Sequence, residues 1–170
     1  PHNNVTVSLI YLHRYREALD QAQFVLTELD PQNIHALANA IHLSVVLADR
    51  AEAERLTERL AALPAGEAPD DLIKQVQGLA WLDRDADILR VAREAKRNKI
   101  PLSPDLLVHV AIAEANRGRV REAQRLLRDA QQSGAGTALY ETTRTALEAG
   151  QPGPGITSRY PQTHYTDLLP

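Results

Sequence analysis

The chain has 170 residues, of which 44% are hydrophobic and 24% charged, and its net charge at pH 7 is −3. This composition is typical of a folded globular protein and excludes a chain that is disordered throughout. Because cysteine is absent, disulfides, cysteine nucleophiles and cysteine ligands of zinc are excluded as well. No apolar run approaches the roughly 18 residues of a membrane span, so we expect a soluble protein. The composition leaves the cellular compartment open, and the cytoplasm is the working expectation.

Aromatic residues make up only 4% of the chain, whereas it has 25 alanines and 24 leucines. These two residue types favour helices, so the composition predicts an all-α fold. Short stretches also recur every 35 residues, which indicates a repeat architecture. They are YREAL at 15–19, RAEAE at 50–54, DADIL at 85–89 and VREAQ at 120–124. The same spacing relates Leu37, Leu72 and Leu107, as well as Pro31, Gly66, Pro101 and Gly136.

The repeats predict four helical hairpins, at about 1–31, 32–66, 67–101 and 102–136. Their first helices are expected from before Val5 to Leu12 and at about 34–48, 69–82 and 104–116, and their second helices begin with the four recurring stretches. Apolar residues at three- and four-residue intervals, such as Ala53, Leu56 and Leu60, give each second helix one apolar face. We expect Asn33 and Ser103 to cap the helices that follow them. Two-residue turns join the helices of each hairpin, so these helices are expected to be antiparallel neighbours.

The remaining residues divide into a helix and a tail. Residues 137–150 have the pattern of one further amphipathic helix that caps the last hairpin, with Gly150 as its stop signal. Residues 151–170 begin with a cluster of proline and glycine and show no helical period, which predicts an extended tail. This tail either links the hairpins to a further domain or packs back on them as an internal ligand.

The stretch YREAL at 15–19, continued by LDP at 29–31, resembles the second helix of the tetratricopeptide repeat family. The resemblance extends over about residues 3–136. It implies an α-solenoid, a right-handed superhelix of hairpins whose first helices line a concave groove that holds a partner protein. The family pattern has apolar residues at the positions of Gln75 and Glu114, so these two residues depart from it.

By the geometry of that family, eleven side chains are expected to line the groove. They are Tyr11, His35, Asn39, His42, Val46, Lys74, Gln77, Trp81, His109, Ile112 and Asn116. In the second and third repeats they recur at three- and four-residue intervals, which places them on one stripe of each helix. Such stripes offer amide donors and acceptors to the backbone of an extended segment, and Trp81 offers a large apolar anchor. The expected partner is therefore a protein or peptide segment in extended or helical form.

Sequence signals of catalysis are lacking. We find no catalytic triad, no phosphate-binding glycine loop and no HExxH pair, so we expect a non-catalytic protein-binding or scaffolding module without a cofactor. His35 and His42 are separated by about two helical turns, roughly 10 Å, which is too far for both to bind one metal ion. We therefore expect no metal site.

An alternative function is the binding of single-stranded RNA, because the 35-residue period and GRVREA at 118–123 are similar to the pentatricopeptide repeat family. Residues 84–128 are basic, with 11 lysines and arginines against 6 acidic residues. Arginines share two repeat positions on the second helices, Arg55 with Arg90 and Arg125, and Arg93 with Arg128. Such a ladder can contact phosphates. Acidic residues close by in sequence instead favour ion pairs on a solvated outer face.

Overall fold

The computed structural model of the protein describes residues 2–149, with side chains from Asn4 onward. Within this range the chain forms nine α-helices and no β-strand, which confirms the all-α class. The helices are α1 His2–Tyr11, α2 Tyr15–Phe24, α3 Ile34–Val46, α4 Arg50–Ala62, α5 Pro69–Ala80, α6 Asp85–Arg97, α7 Pro104–Asn116, α8 Val120–Gln132 and α9 Ala138–Glu148. A π-helical turn, Val25–Leu29, continues α2. The expectations for the tail, residues 151–170, lie outside the described residues.

The helix starts carry the 35-residue spacing of the sequence into the structure. α2, α4, α6 and α8 begin at residues 15, 50, 85 and 120, and α3, α5 and α7 begin at residues 34, 69 and 104. The expected starts at Ile34, Pro69 and Pro104 are therefore confirmed. Three first helices end one or two residues earlier than expected, at Tyr11, Val46 and Ala80, because the next residues already belong to the turns.

The four hairpin turns have one common backbone geometry. His13, Ala48, Asp83 and Gly118 each adopt a positive φ, between 55° and 79°, and they are spaced 35 residues apart. The N–H of the residue after each of them donates to the carbonyl oxygen five residues earlier, for example Arg119 to Glu114 at 2.9 Å. This is the hydrogen bond that closes a Schellman turn at the end of a helix. Only the fourth turn uses glycine, the residue that has no steric penalty there.

Capping side chains fix where several helices begin. The side-chain oxygen of Asn33 accepts from the N–H of Ala36 at 2.9 Å, and that of Ser103 accepts from Leu106 at 3.3 Å, so both expected caps are confirmed. Thr137 does the same at the start of α9. Each of these bonds satisfies a backbone donor that the first turn of a helix leaves without a partner.

The helices pack mainly on their neighbours along the chain, while α3 also packs on α5, and α5 on α7. A continuous core of aliphatic side chains runs from α1 to α9. The helices α5 and α3 pack closely at Gly78: a Cβ placed on this residue would lie 3.2 Å from the Cα of Ala38 and 2.6 Å from a methyl group of Leu60. None of the helices among the described residues has the length and apolar character to cross a bilayer.

The two residues that depart from the repeat pattern both have polar partners. Gln75 is fully buried; its amide oxygen accepts from the N–H of Gly66 and its amide nitrogen donates to the carbonyl of Pro64, both at 3.0 Å. A buried glutamine thus fixes the connector between α4 and α5 with both ends satisfied. Glu114 forms an ion pair with Arg119 across the fourth turn.

The turn geometry predicts whether a substitution to or from glycine raises or lowers the free energy of unfolding. Ala48→Gly is expected to raise the free energy of unfolding by about 0.5 to 1 kcal/mol, because glycine has no Cβ to strain at positive φ. Gly118→Ala is expected to lower it by about 1 kcal/mol for the same reason. Urea unfolding followed by circular dichroism measures both changes.

The control is Ala51→Gly, three residues further along in α4, where glycine costs helix propensity and is expected to lower stability. An equal loss of stability in Ala48→Gly and Ala51→Gly would contradict the left-handed geometry of the turn.

Candidate functional site

Eight of the expected groove residues lie on, or directly after, three successive first helices that pack in the order α3, α5, α7, and we call this set of residues the α3–α5–α7 face. It comprises His35, Asn39 and His42 of α3, Lys74, Gln77 and Trp81 of α5 and the turn that follows it, and His109 and Asn116 of α7. The close approach at Gly78 sets the separation of α3 and α5 in this region. A side chain of α3 can therefore touch one of α5 directly.

His42 and Trp81 are stacked on each other across α3 and α5. Their ring centroids are 4.6 Å apart and their planes are inclined by 16°. His42 is only 3% exposed, and burial together with the positive charge of Lys74 lowers the pKa of His42 from 6.5 to about 4. The imidazole is therefore neutral at physiological pH, and it serves as a flat packing partner of the indole.

A second contact between α3 and α5 joins His35 to Asp71. The Nε2 of His35 lies 3.0 Å from a carboxylate oxygen of Asp71, and both side chains are about one-third exposed. Asp71 is not among the residues expected from the sequence. It stands 36 rather than 35 residues after His35, so the repeat register does not connect the two.

The third contact lies at the end of α7. The amide nitrogen of Asn116 donates to a carboxylate oxygen of Asp85, the first residue of α6, at 3.1 Å. Burial raises the pKa of Asp85 from 3.8 to about 6, and the nearby carboxylate of Asp83 acts in the same direction. The other carboxylate oxygen of Asp85 and the amide oxygen of Asn116 are buried and accept no hydrogen bond from the described residues, and the same holds for the amide oxygen of Gln77. Buried acceptors without donors are costly, and they favour any group that supplies an N–H.

The eleven expected groove residues differ widely in exposure. Four are at most 3% exposed: Asn39, His42, His109 and Ile112. Six are half-buried: His35, Val46, Lys74, Gln77, Trp81 and Asn116. Tyr11, at the end of α1, is 43% exposed. The accessible part of the expected groove is therefore the half-buried set on α3, α5 and α7, together with Tyr11.

Three of the five arginines of the expected ladder form ion pairs on their own helices. Arg55 pairs with Glu52 at 2.7 Å, and Arg125 pairs with both Glu122 and Asp129. Arg90 pairs with Glu94 at 3.0 Å and also donates to the carbonyl of Ala61 at 2.7 Å. Charges that are already paired in this way release fewer counterions from a polyanion than isolated cations would.

Metal ligands do not assemble in the part of the chain that the structure describes: no group of three or more histidine or acidic side chains has the required proximity. His35 and His42 have the separate partners described above, Asp71 and Trp81. Sequence reasoning missed Asp71 and Asp85. Asp85 carries one signal, its place directly after a hairpin turn at the start of a second helix.

No family model matches the chain, and no curated protein matches it. The chemistry of the face is therefore the basis for a functional interpretation.

The close approach of α3 and α5 predicts the effect of adding one methyl group. Gly78→Ala is expected to lower the free energy of unfolding by about 1 to 3 kcal/mol, because its Cβ overpacks against Ala38 and Leu60, and this outweighs the gain of about 1 kcal/mol in helix propensity. Gly136→Ala is the control, since a Cβ there meets no atom within 4 Å. Thermal unfolding measures both. A Gly78→Ala variant as stable as the parent would mean that α3 and α5 separate without cost.

The lowered pKa of His42 predicts a dependence of stability on pH. Neutral, buried His42 contributes its full stabilisation above pH 6.5, which is its pKa in the unfolded chain. The stabilisation is lost as the pH falls towards about 4, its pKa in the folded protein. Between pH 7.5 and pH 5 this group alone is expected to remove about 2 kcal/mol of stability. His42→Phe keeps a ring against Trp81 but cannot take up a proton, so its stability is expected to decline less over the same range. Urea unfolding at the two pH values measures the difference, and equal declines would show that His42 is not the group responsible.

Proposed function

We propose that this chain is a solenoid of tetratricopeptide-like hairpins that binds a segment of another protein on its α3–α5–α7 face, without catalysing a reaction. Support for the solenoid comes from the 35-residue spacing of seven helix starts and four left-handed turns. Identical turns at a constant spacing give successive hairpins a similar geometry, and repetition of one small rotation winds them into a superhelix. The right-handed sense is carried over from the family resemblance.

The observation that carries the proposal is a pair of buried amide oxygens, on Gln77 and Asn116, that accept no hydrogen bond from the described residues. Gln77 lies one helical turn before Trp81, and Asn116 lies 35 residues after Trp81, at the same position of the next repeat. An extended peptide presents a backbone N–H at every residue except proline. Rotation of these half-buried amides towards such a peptide would give both oxygens a donor. A buried oxygen without a donor costs free energy, so binding of the peptide is favoured.

The surroundings of these amides indicate the kind of segment that fits. Trp81 is half-buried, so its remaining ring surface can cover one apolar side chain of the partner. Lys74 lies on the same stripe of α5 and attracts an acidic side chain or a terminal carboxylate. A segment with one apolar anchor and an acidic neighbour therefore fits the accessible part of the face best.

The test uses Trp81 as an intrinsic reporter, because it is the only tryptophan of the chain. Proteins are captured from host lysate with the intact chain, with and without nuclease, and the bound segment of each partner is mapped with overlapping peptides. A peptide bound on the face is expected to change the emission of Trp81 on titration. Binding by Lys74→Ala plus Gln77→Ala plus Trp81→Leu is expected to be at least about tenfold weaker.

The control variant carries matched changes away from the face, at the exposed residues Leu29→Ala, Arg121→Ala and Gln124→Ala. It is expected to bind like the parent, and circular dichroism verifies that both triple variants fold. Lys74→Glu serves as a milder second variant that leaves the stacked rings in place. Partners that disappear with nuclease and are indifferent to all changes on the face would overturn the proposal and favour the RNA-binding alternative.

A further inference from the structure

A cleft lies between α6 and α8, and none of the residues that line it belongs to the α3–α5–α7 face. Both helices pack on α7 and hardly on each other, which leaves a hollow of about 360 Å³ between them. Ala86 and Ala92 line it from α6. Their small side chains leave room that larger residues would fill, and we call this hollow the α6–α8 cleft.

The floor of the α6–α8 cleft is apolar. Leu89 of α6, Val110 of α7 and Leu126 of α8 line it, and each retains between 2% and 6% exposure. Three aliphatic residues from three helices thus meet at one point. An aliphatic side chain placed there would contact all three and be withdrawn from water.

The rim of the cleft has an excess of positive charge: four of the charged residues that line it are basic and two are acidic. Arg93, Lys96 and Arg117 line the cleft, are exposed, and have no carboxylate within 4.0 Å among the residues that the structure describes. The two carboxylates of the lining, Glu114 and Glu122, each have an arginine partner. The local balance is therefore positive at the rim.

The positive surface continues around α6 beyond the cleft. An adjoining hollow of about 500 Å³ is lined by four basic residues: Arg90, Arg93, Lys96 and Arg97. Arg93 is held in place by a hydrogen bond from its Nε to the carbonyl of Leu89 at 3.1 Å, so its terminal nitrogens remain available. A guanidinium group that is oriented in this way presents a planar pair of donors suited to a carboxylate.

We propose that the α6–α8 cleft binds an acidic peptide segment, with an aliphatic side chain on the floor and carboxylates at Arg93, Lys96 and Arg117. An acidic segment suits the cleft better than a nucleic acid does. Neither hollow is lined by an aromatic side chain on which a base could stack, and the apolar floor has no counterpart in a phosphate backbone. The cleft shares no lining residue with the α3–α5–α7 face, so different variants test the two proposals.

The experiment selects ligands from a displayed library of random linear peptides on the intact chain. Enriched peptides are expected to combine aspartate or glutamate with leucine, isoleucine or valine, and a synthetic peptide of the most enriched sequence is then measured by fluorescence anisotropy. Charge reversal by Arg93→Glu, Lys96→Glu and Arg117→Glu is expected to weaken its binding by at least about tenfold, and added salt is expected to weaken binding to the parent.

The matched control reverses three exposed arginines outside the cleft, Arg16→Glu, Arg121→Glu and Arg128→Glu, and is expected to keep the affinity within about twofold. A single variant, Ala92→Leu, fills the floor without a change of charge and is expected to weaken binding as well. The Lys74, Gln77 and Trp81 variant is expected to bind like the parent, which separates this cleft from the other face.

Three results would overturn the proposal. Enriched peptides without acidic residues would remove its electrostatic basis, and equal binding by the cleft variant and the parent would place the ligand elsewhere. A fluorescein-labelled oligouridylate that binds the parent more tightly than the selected peptide, and is lost with the cleft variant, would assign the cleft to nucleic acid instead.

Discussion

The close approach of α5 to α3 at Gly78 is the constraint on which the α3–α5–α7 face depends. Because residue 78 has no Cβ, the backbone of α5 comes within van der Waals distance of Ala38. At that separation the rings of His42 and Trp81 stack at 4.6 Å and His35 reaches Asp71 at 3.0 Å. A larger side chain at position 78 would have to displace Ala38 or the Leu60 side chain, which strains the packing that brings these residues together.

The connectors between hairpins show how buried polar groups stabilise irregular backbone. Between α4 and α5, Gln75 satisfies one donor and one acceptor of the chain, and from α6 Glu94 accepts from the N–H of Ala65 at 3.0 Å. Arg90 completes the arrangement by donating to the carbonyl of Ala61. These side chains link three successive helices through a loop that has no regular hydrogen bonds of its own. Their polarity is thus structural, and it explains why a glutamine occupies a core position.

The second helices of the hairpins and the α3–α5–α7 face carry different charged and polar groups. On the second helices of the hairpins, Arg50, Arg55, Arg90 and Arg125 each have a carboxylate partner about one turn away, so these four leave little net attraction. Arg93, Lys96 and Arg117 have no such partner among the described residues, and they gather where α6 and α8 part over α7. On the α3–α5–α7 face the accessible groups are amides, one lysine and an indole. The α3–α5–α7 face therefore suits the backbone of a ligand, and the α6–α8 cleft suits acidic side chains.

The sequence by itself determined the elements of this protein. Local signals predict where three helices start, at Ile34, Pro69 and Pro104, and which residues cap two of them, Asn33 and Ser103. They suffice because a capping bond or a proline acts within one turn of the chain. The candidate site was predictable only as a set of positions, since helical periodicity tells which residues share a stripe but not how deeply the stripe is buried. Tertiary structure decided three further features: the burial of Asn39, His42 and His109, the contacts of Asp71 and Asp85, and the cleft between α6 and α8. Each depends on the distance between helices that are 30 or more residues apart in sequence, and that distance is set by packing volumes such as the missing Cβ of Gly78, which no local pattern records.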